Sequence, residues 1–157
     1  MRQVLVPLDL APAIPLRAPR ADILSLCGET MGTTWSVKVV SAADLAADAL
    51  HAGIEAVLDG VIAEMSTWIA RSDISRFNRA APGSWIVLPE DFATVLRCAL
   101  SVAAKSGGAY DPTVGALVAL WGFGPQGRPG TIPADADIAP ARLTCGWQRV
   151  KLSLIHI

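Results

Sequence analysis

Ser106-Gly107-Gly108-Ala109-Tyr110-Asp111-Pro112-Thr113-Val114-Gly115-Ala116-Leu117-Val118-Ala119-Leu120-Trp121-Gly122-Phe123-Gly124 changes character three times. The Gly107-Gly108 pair breaks a long helical pattern. Asp111-Pro112-Thr113 then reads as a helix start, with Asp111 as N-cap and Pro112 in the first helical position, where its missing N–H costs nothing. The apolar run Val114 to Leu120 ends at Trp121-Gly122-Phe123-Gly124, where two aromatics alternate with glycines that let backbone approach a ligand closely.

Upstream, two further blocks draw attention. Glu29-Thr30-Met31-Gly32-Thr33-Thr34-Trp35 opens a stretch, Gly28 to Val40, in which β-branched and aromatic residues alternate with polar ones. That period of two predicts a strand, with Gly32 serving a bulge. Gly28 and Gly32 make no dinucleotide fingerprint, since a third glycine and a following helix are lacking. Met65-Ser66-Thr67-Trp68-Ile69-Ala70-Arg71-Ser72-Asp73-Ile74-Ser75-Arg76-Phe77-Asn78 holds Ser72, which reads as the N-cap of a one-turn helix ending near Asn78. Ser72, Ser75 and Asn78 read as loop architecture through bonds from side chain to backbone.

These three blocks, in this order, resemble the signatures of the FAD:protein FMN transferases, the ApbE-like flavin transferases. The central stretch is similar to S-x-G-x-F-D-P-T-V-G-P-L-V-x-L-W-G-F-G, with Tyr110 in place of Phe and Ala116 in place of Pro. The earlier blocks resemble M-G-T-x-W and M-S-x-Y followed by S-x-I-S-R-F-N, with Trp68 in place of Tyr. The resemblance implies phosphoryl transfer: a threonine hydroxyl of an acceptor flavoprotein attacks the FMN-side phosphorus of FAD, and AMP leaves. It implies nucleotide contacts at Met31, Trp68, Ala109, Tyr110 and Asp111, with Trp68 offering a larger stacking face than tyrosine. The Ala109 and Tyr110 backbone can present hydrogen bonds, and Asp111 has a rival role as helix cap. It also implies magnesium, held by a late Asp/Thr cluster. No residue of this chain is assigned as catalytic or as a metal ligand.

Relatives continue past a W-x-x-V-x-L strand into a G-x-x-A-K-G-x-x-x-D block and a later H-x-x-x-P-x-T-G block. The resemblance runs from Cys27 to about Leu152, so residues 1–26 are expected as an extended leader, 27–152 as the N-terminal part of a flavin transferase domain, and 153–157 as an atypical end of a truncated chain. His156 is expected as a terminal strand residue. Such a chain is expected to be inactive alone. The alternatives are a non-catalytic FAD-binding module and a structural α+β fragment.

The remaining segments set the fold expectation. Pro7, Pro12, Pro15 and Pro19 forbid a helix in the first twenty residues, which read as a poorly ordered leader, with an edge strand at Met1–Leu10 as the other reading. Leu50, Ile54, Val57, Leu58, Val61, Met65 and Trp68 form an apolar stripe that predicts a helix over Ala42–Trp68, with Ser41 as N-cap and Asp44 three residues on. Asp44, Asp48, His51, Glu55 and Asp59 lie opposite that stripe and read as a solvated face rather than a metal site.

Ala81–Ser84 predicts a turn and Trp85–Leu88 a short strand. Pro89-Glu90-Asp91 opens a second helix, with a buried stripe of Phe92, Val95, Leu96, Ala99, Val102 and Ala103 and an end at Lys105-Ser106-Gly107. Pro125–Pro133 reads as a loop, Ala134–Ala141 as a short helix and Trp147–Leu152 as a strand. The expected class is α+β, two main helices packed on a mostly antiparallel sheet that is incomplete at the C-terminus.

The 157 residues suit one domain, and 52% hydrophobic with 17% charged residues argues against disorder. A net charge of −1 gives no basic footprint for nucleic acid. Cys27, Cys98 and Cys145 form neither a disulfide framework nor a zinc pattern and read as small buried hydrophobes. Leu24-Ser25-Leu26-Cys27 has the outline of a lipoprotein processing site, but Arg17, Arg20 and Asp22 interrupt the apolar core such a signal needs. No evident export signal or membrane span is expected, although relatives of the family usually act in the periplasm or anchored to the inner membrane.

Overall fold

The computed structural model describes residues 22–41, 45–125, 127, 130 and 132–153. Its elements in chain order are β1 (Asp22–Thr30), β2 (Thr33–Ser41), α1 (Ala47–Met65), α2 (Asp73–Asn78), α3 (Glu90–Lys105), α4 (Gly115–Leu120) and α5 (Asp135–Thr144), followed by a 3-10 turn at Trp147–Arg149. The class is α+β, and the sheet of the described residues is one antiparallel hairpin. The chain divides into two compact units, Met1–Ala56 and Val57–Ile157, with the boundary inside α1. The expectations for Met1–Leu10 and for His156 lie outside the described residues. Among the described residues no helix is long and apolar enough to cross a membrane.

In the first unit, the strand expected over Gly28–Val40 is two strands that meet at Met31-Gly32. Residues 22–26, placed by the sequence in the leader, pair in β1. Thr30 faces Thr33, so the loop holds two residues, and both have positive φ, 50° at Met31 and 74° at Gly32. That is the signature of a type I′ turn, whose twist matches the flanking strands. Gly32 therefore makes the turn rather than a bulge.

The alternation then sorts the hairpin into faces. Ser25, Cys27, Glu29, Thr34, Ser36 and Lys38 are exposed, while Leu24, Leu26, Trp35, Val37 and Val39 are more covered. Trp35 faces Gly28 across the ladder and its indole lies over the bare Cα; a Cβ there would sit 2.7 Å from the ring nitrogen.

His51 of α1 completes this unit. Its ring stands 5.2 Å from that of Trp35, its Nε2 is 3.0 Å from the Cys27 carbonyl, and its Nδ1 is 3.4 Å from Glu55. The sequence placed His51 on a solvated acidic face; it turns instead to the hairpin, leaving Asp48, Glu55 and Asp59 exposed. Asp44 lies outside the described residues. The helix is also shorter than expected at both ends. Ser41, expected as its N-cap, is the last residue of β2. Trp68 lies beyond its C-terminus because the Ser66 carbonyl is taken by the Ser72 hydroxyl at 2.6 Å, which turns the chain away.

In the second unit, Ser72 caps α2 as expected, accepting from the Ser75 amide at 3.2 Å while donating to Ser66. It is only 1% exposed. Ser72→Ala removes a cap and the shortest bond to the Ser66 carbonyl, which keeps the longer ones from the Ile69 amide and the Ser75 hydroxyl, so a loss of about 1–2 kcal/mol in urea unfolding is expected. A change within error would show that water replaces the hydroxyl.

The turn at Ala81–Ser84 forms, closed by Ser84 N–H to the Ala81 carbonyl at 3.1 Å. Trp85–Leu88 is not a strand, since no neighbouring strand takes its ladder bonds among the described residues. α3 starts as expected, yet its cap comes from elsewhere: the Phe92 amide donates to the Glu64 carboxylate of α1 at 3.0 Å. The Phe92 ring meets Phe77 edge-on at 6.2 Å. Phe92 and Ala103 are buried, whereas Val95 and Val102 are exposed, so the inner stripe is narrower than the sequence suggests. Cys27 and Cys98 are exposed and Cys145 half-buried, against the expectation of buried thiols, because the first two sit on outward faces of β1 and α3.

Candidate functional site

The central stretch begins where α3 stops. The Gly107 amide donates to the Ala104 carbonyl at 3.2 Å and the Gly108 amide to the Ala103 carbonyl at 2.9 Å, with φ of 62° and 86° at the two glycines. This is a Schellman ending, and it needs residues tolerant of the left-handed region. Ser106 then holds the turn from beneath. Its carbonyl accepts from the Ala109 amide at 3.2 Å and its hydroxyl from the Tyr110 amide at 3.2 Å. The Ala109 and Tyr110 N–H groups are thus engaged inside the turn. Tyr110 itself is 46% exposed.

Asp111 does not cap α4, which begins at Gly115 with Val114 as its N-cap. Its Oδ1 instead accepts from the Thr113 amide at 2.8 Å and the Thr113 hydroxyl at 2.6 Å. Its Oδ2 accepts from the Trp147 amide at 3.3 Å. The Thr113 oxygen in turn accepts from the Gly146 amide at 2.7 Å. Burial raises the Asp111 pKa, but the hydrogen bonds from Thr113 and Trp147 together outweigh it and hold the carboxyl below its ordinary value.

These bonds also explain why Trp147–Leu152 is not a strand. The Trp147 amide is engaged by Asp111, the Gly146 amide just before it by Thr113, and the Arg149 and Val150 amides close the 3-10 turn onto Gly146 and Trp147. The Trp147 indole comes to rest near Gly108. Upstream of it, the helix expected over Ala134–Ala141 runs later, as Asp135–Thr144.

α4 ends as α3 does: the Gly122 amide reaches the Ala119 carbonyl at 3.0 Å and the Phe123 amide the Val118 carbonyl at 3.1 Å. Trp121 and Phe123 are left exposed.

Of the five residues assigned from sequence, Ala109, Tyr110 and Asp111 share one turn of the second unit. Trp68 belongs to the same unit, in the turn after α1, and is 72% exposed. Met31 belongs to the first unit, at the tip of the hairpin, and is 57% exposed with its left-handed backbone. Neither ring contact among the described residues involves Trp68 or Tyr110. Thr113, Gly146 and Trp147 were not singled out from sequence. The Asp-x-Thr spacing signals a local turn, but partners 33 and 36 residues away leave no local trace. No three of His, Cys, Asp and Glu converge on a possible metal position among the described residues.

Much of the chain is similar to proteins of a known family. The ApbE family model matches residues 31–156. The FAD:protein FMN transferase of Klebsiella pneumoniae is 38% identical over 86% of this chain and 39% of its own length. That of Haemophilus influenzae is 38% identical over 91% of this chain and 43% of its own. The flavinyl transferase ApbE of Pseudomonas stutzeri superposes with a TM-score of 0.81 at 36% identity, over 85% of this chain and 45% of that one. The chain thus spans about two fifths of the length of the curated relatives it matches. With a match over most of its residues, this chain belongs to the ApbE family.

Proposed function

We propose that this chain supplies the nucleotide-holding part of an FAD:protein FMN transferase. In that reaction a threonine oxygen on an acceptor flavoprotein attacks the FMN-side phosphorus of FAD. The pyrophosphate P–O bond breaks, AMP leaves, and FMN stays linked through a phosphoester. Catalysis of this kind rests on in-line positioning and on neutralising phosphate charge. The described residues serve the first need. Tyr110 and Trp68, both of the second unit, offer exposed rings to a planar base or isoalloxazine. The second need falls to magnesium, whose ligands we assign to the part of the family domain beyond the region shared here.

One observation carries the reading. The turn from Gly107 to Asp111 is fixed at both ends, and its amides are engaged internally, yet it holds the Tyr110 ring out toward solvent. Rigid backbone under an exposed ring suits a ligand that stacks. The left-handed Met31 is a second departure from local preference, of the sort that collects at binding sites.

The test is a titration of the chain into FAD, followed by flavin fluorescence. A saturable change is expected, weakened about tenfold by Tyr110→Ala and restored by Tyr110→Phe, in line with stacking energies of roughly 1–1.5 kcal/mol. With magnesium and an acceptor protein present, no covalent flavin should reach the acceptor. Silence in the titration would remove the binding role, and labelled acceptor would show that the described residues suffice for transfer.

A further inference from the structure

We infer that Thr113 is a positioning residue for the nucleotide turn, tying it, together with Asp111, to the Gly146-Trp147 segment. The inference rests on the proposed nucleotide role of that turn. A threonine hydroxyl has one proton to donate and two lone pairs. The Thr113 proton goes to Asp111 Oδ1, 2.6 Å away, and a lone pair takes the Gly146 amide at 2.7 Å. The hydroxyl is therefore a relay between a carboxylate and a backbone amide 33 residues on.

Asp111 Oδ1 already accepts two bonds, from the Thr113 amide and hydroxyl, and Oδ2 accepts the Trp147 amide. Oδ1 has no acceptor site left, and Oδ2 has one. The carboxylate thus gives three of its acceptor sites to the fold. What it does is hold the segment Gly146-Trp147 against the turn, with the Trp147 indole beside Gly108. The turn bearing Tyr110 is thereby closed from both sides, by the Schellman ending of α3 and by the relay. Without the hydroxyl, Gly146 loses its acceptor and Asp111 one of its donors, and the Tyr110 ring loses the fixed frame that orders it before a ligand arrives.

The experiment compares the native chain with Thr113→Val and Thr113→Ser, by amide hydrogen exchange without ligand and by FAD titration. In Thr113→Val, protection of the Gly146 and Trp147 amides is expected to fall at least about tenfold. The FAD dissociation constant is expected to rise about tenfold in the same variant. Thr113→Ser should keep both near the native values, because it restores the hydroxyl.

Unchanged protection at Gly146 overturns the relay. Lost protection with unchanged FAD affinity overturns the positioning role and leaves a structural bond. If the native chain leaves flavin fluorescence unchanged, the functional reading fails separately, while the exchange arm still decides whether the relay exists. Should Thr113→Val not fold, the native chain decides: a Gly146 amide exchanging as fast as that of exposed Gly130 sinks the inference.

Discussion

Replacing Asp111 by alanine is expected to cost about 2–4 kcal/mol in urea unfolding, the largest loss foreseen for any polar residue of the chain. The side chain accepts three hydrogen bonds, two from Thr113 and one from Trp147. Bonds to a charged acceptor contribute more than neutral ones, and truncation leaves all three donors without a partner. Asp111→Asn should cost less, since an amide oxygen keeps part of the set while its NH₂ faces other donors.

The same carboxylate predicts a pH dependence. Its folded pKa lies below the ordinary 3.8, so the unfolded chain binds the proton more readily. Its contribution to stability is therefore complete above about 4 and is lost as pH falls through the folded value. Unfolding midpoints measured down through the acid range should fall less steeply in Asp111→Asn than in the native chain. Parallel acid limbs would show that the carboxylate is not preferentially ionised in the fold.

Gly28→Ala is expected to destabilise the first unit by about 1–3 kcal/mol, the range of small-to-large changes in packed sites. Alanine usually suits a strand better than glycine, so local preference alone predicts a gain. The packing reverses the sign. A Cβ at residue 28 would lie 2.7–2.8 Å from Nε1, Cε2 and Cζ2 of Trp35, and a ring cannot yield as a flexible chain end can. Trp35 would have to swing off the sheet and away from His51. Its fluorescence should shift to the red along with the loss of stability. A neutral or stabilising Gly28→Ala, with unchanged emission, would mean that the indole does not rest on the bare Cα. Trp35→Ala with Gly28→Ala should then show strong coupling, since one change removes what the other collides with.

Local chemistry was legible in this chain wherever a residue's partner lies within a few positions. The Ser72 cap, the Pro89 start and the Gly107 stop of α3 all rest on short-range bonds, and the pattern of the Ser106–Gly124 stretch is specific because it strings several such signals together. The hairpin was half legible: alternation revealed β2, but a methionine in a left-handed turn breaks the residue preference that announces such turns, so one strand was expected where two exist.

Distant partners made the rest invisible. Asp111 looks like a helix cap in sequence, and nothing nearby says that Trp147 and Gly146 will compete for its turn. Trp147–Leu152 alternates like a strand, but its Trp147 amide goes to the Asp111 carboxylate and its Arg149 and Val150 amides close a 3-10 turn. His51 sits on a helix face that reads as solvated yet reaches the Cys27 carbonyl, and Glu64 of the same helix caps α3 across 28 residues. The sequence by itself determined the α+β class, the stops of α2 and α3, and the family. Only tertiary structure decided which carboxylates, hydroxyls and rings hold the turn, because a hydrogen-bonding group takes whichever partner folding brings within 3 Å, and chain order does not encode that distance.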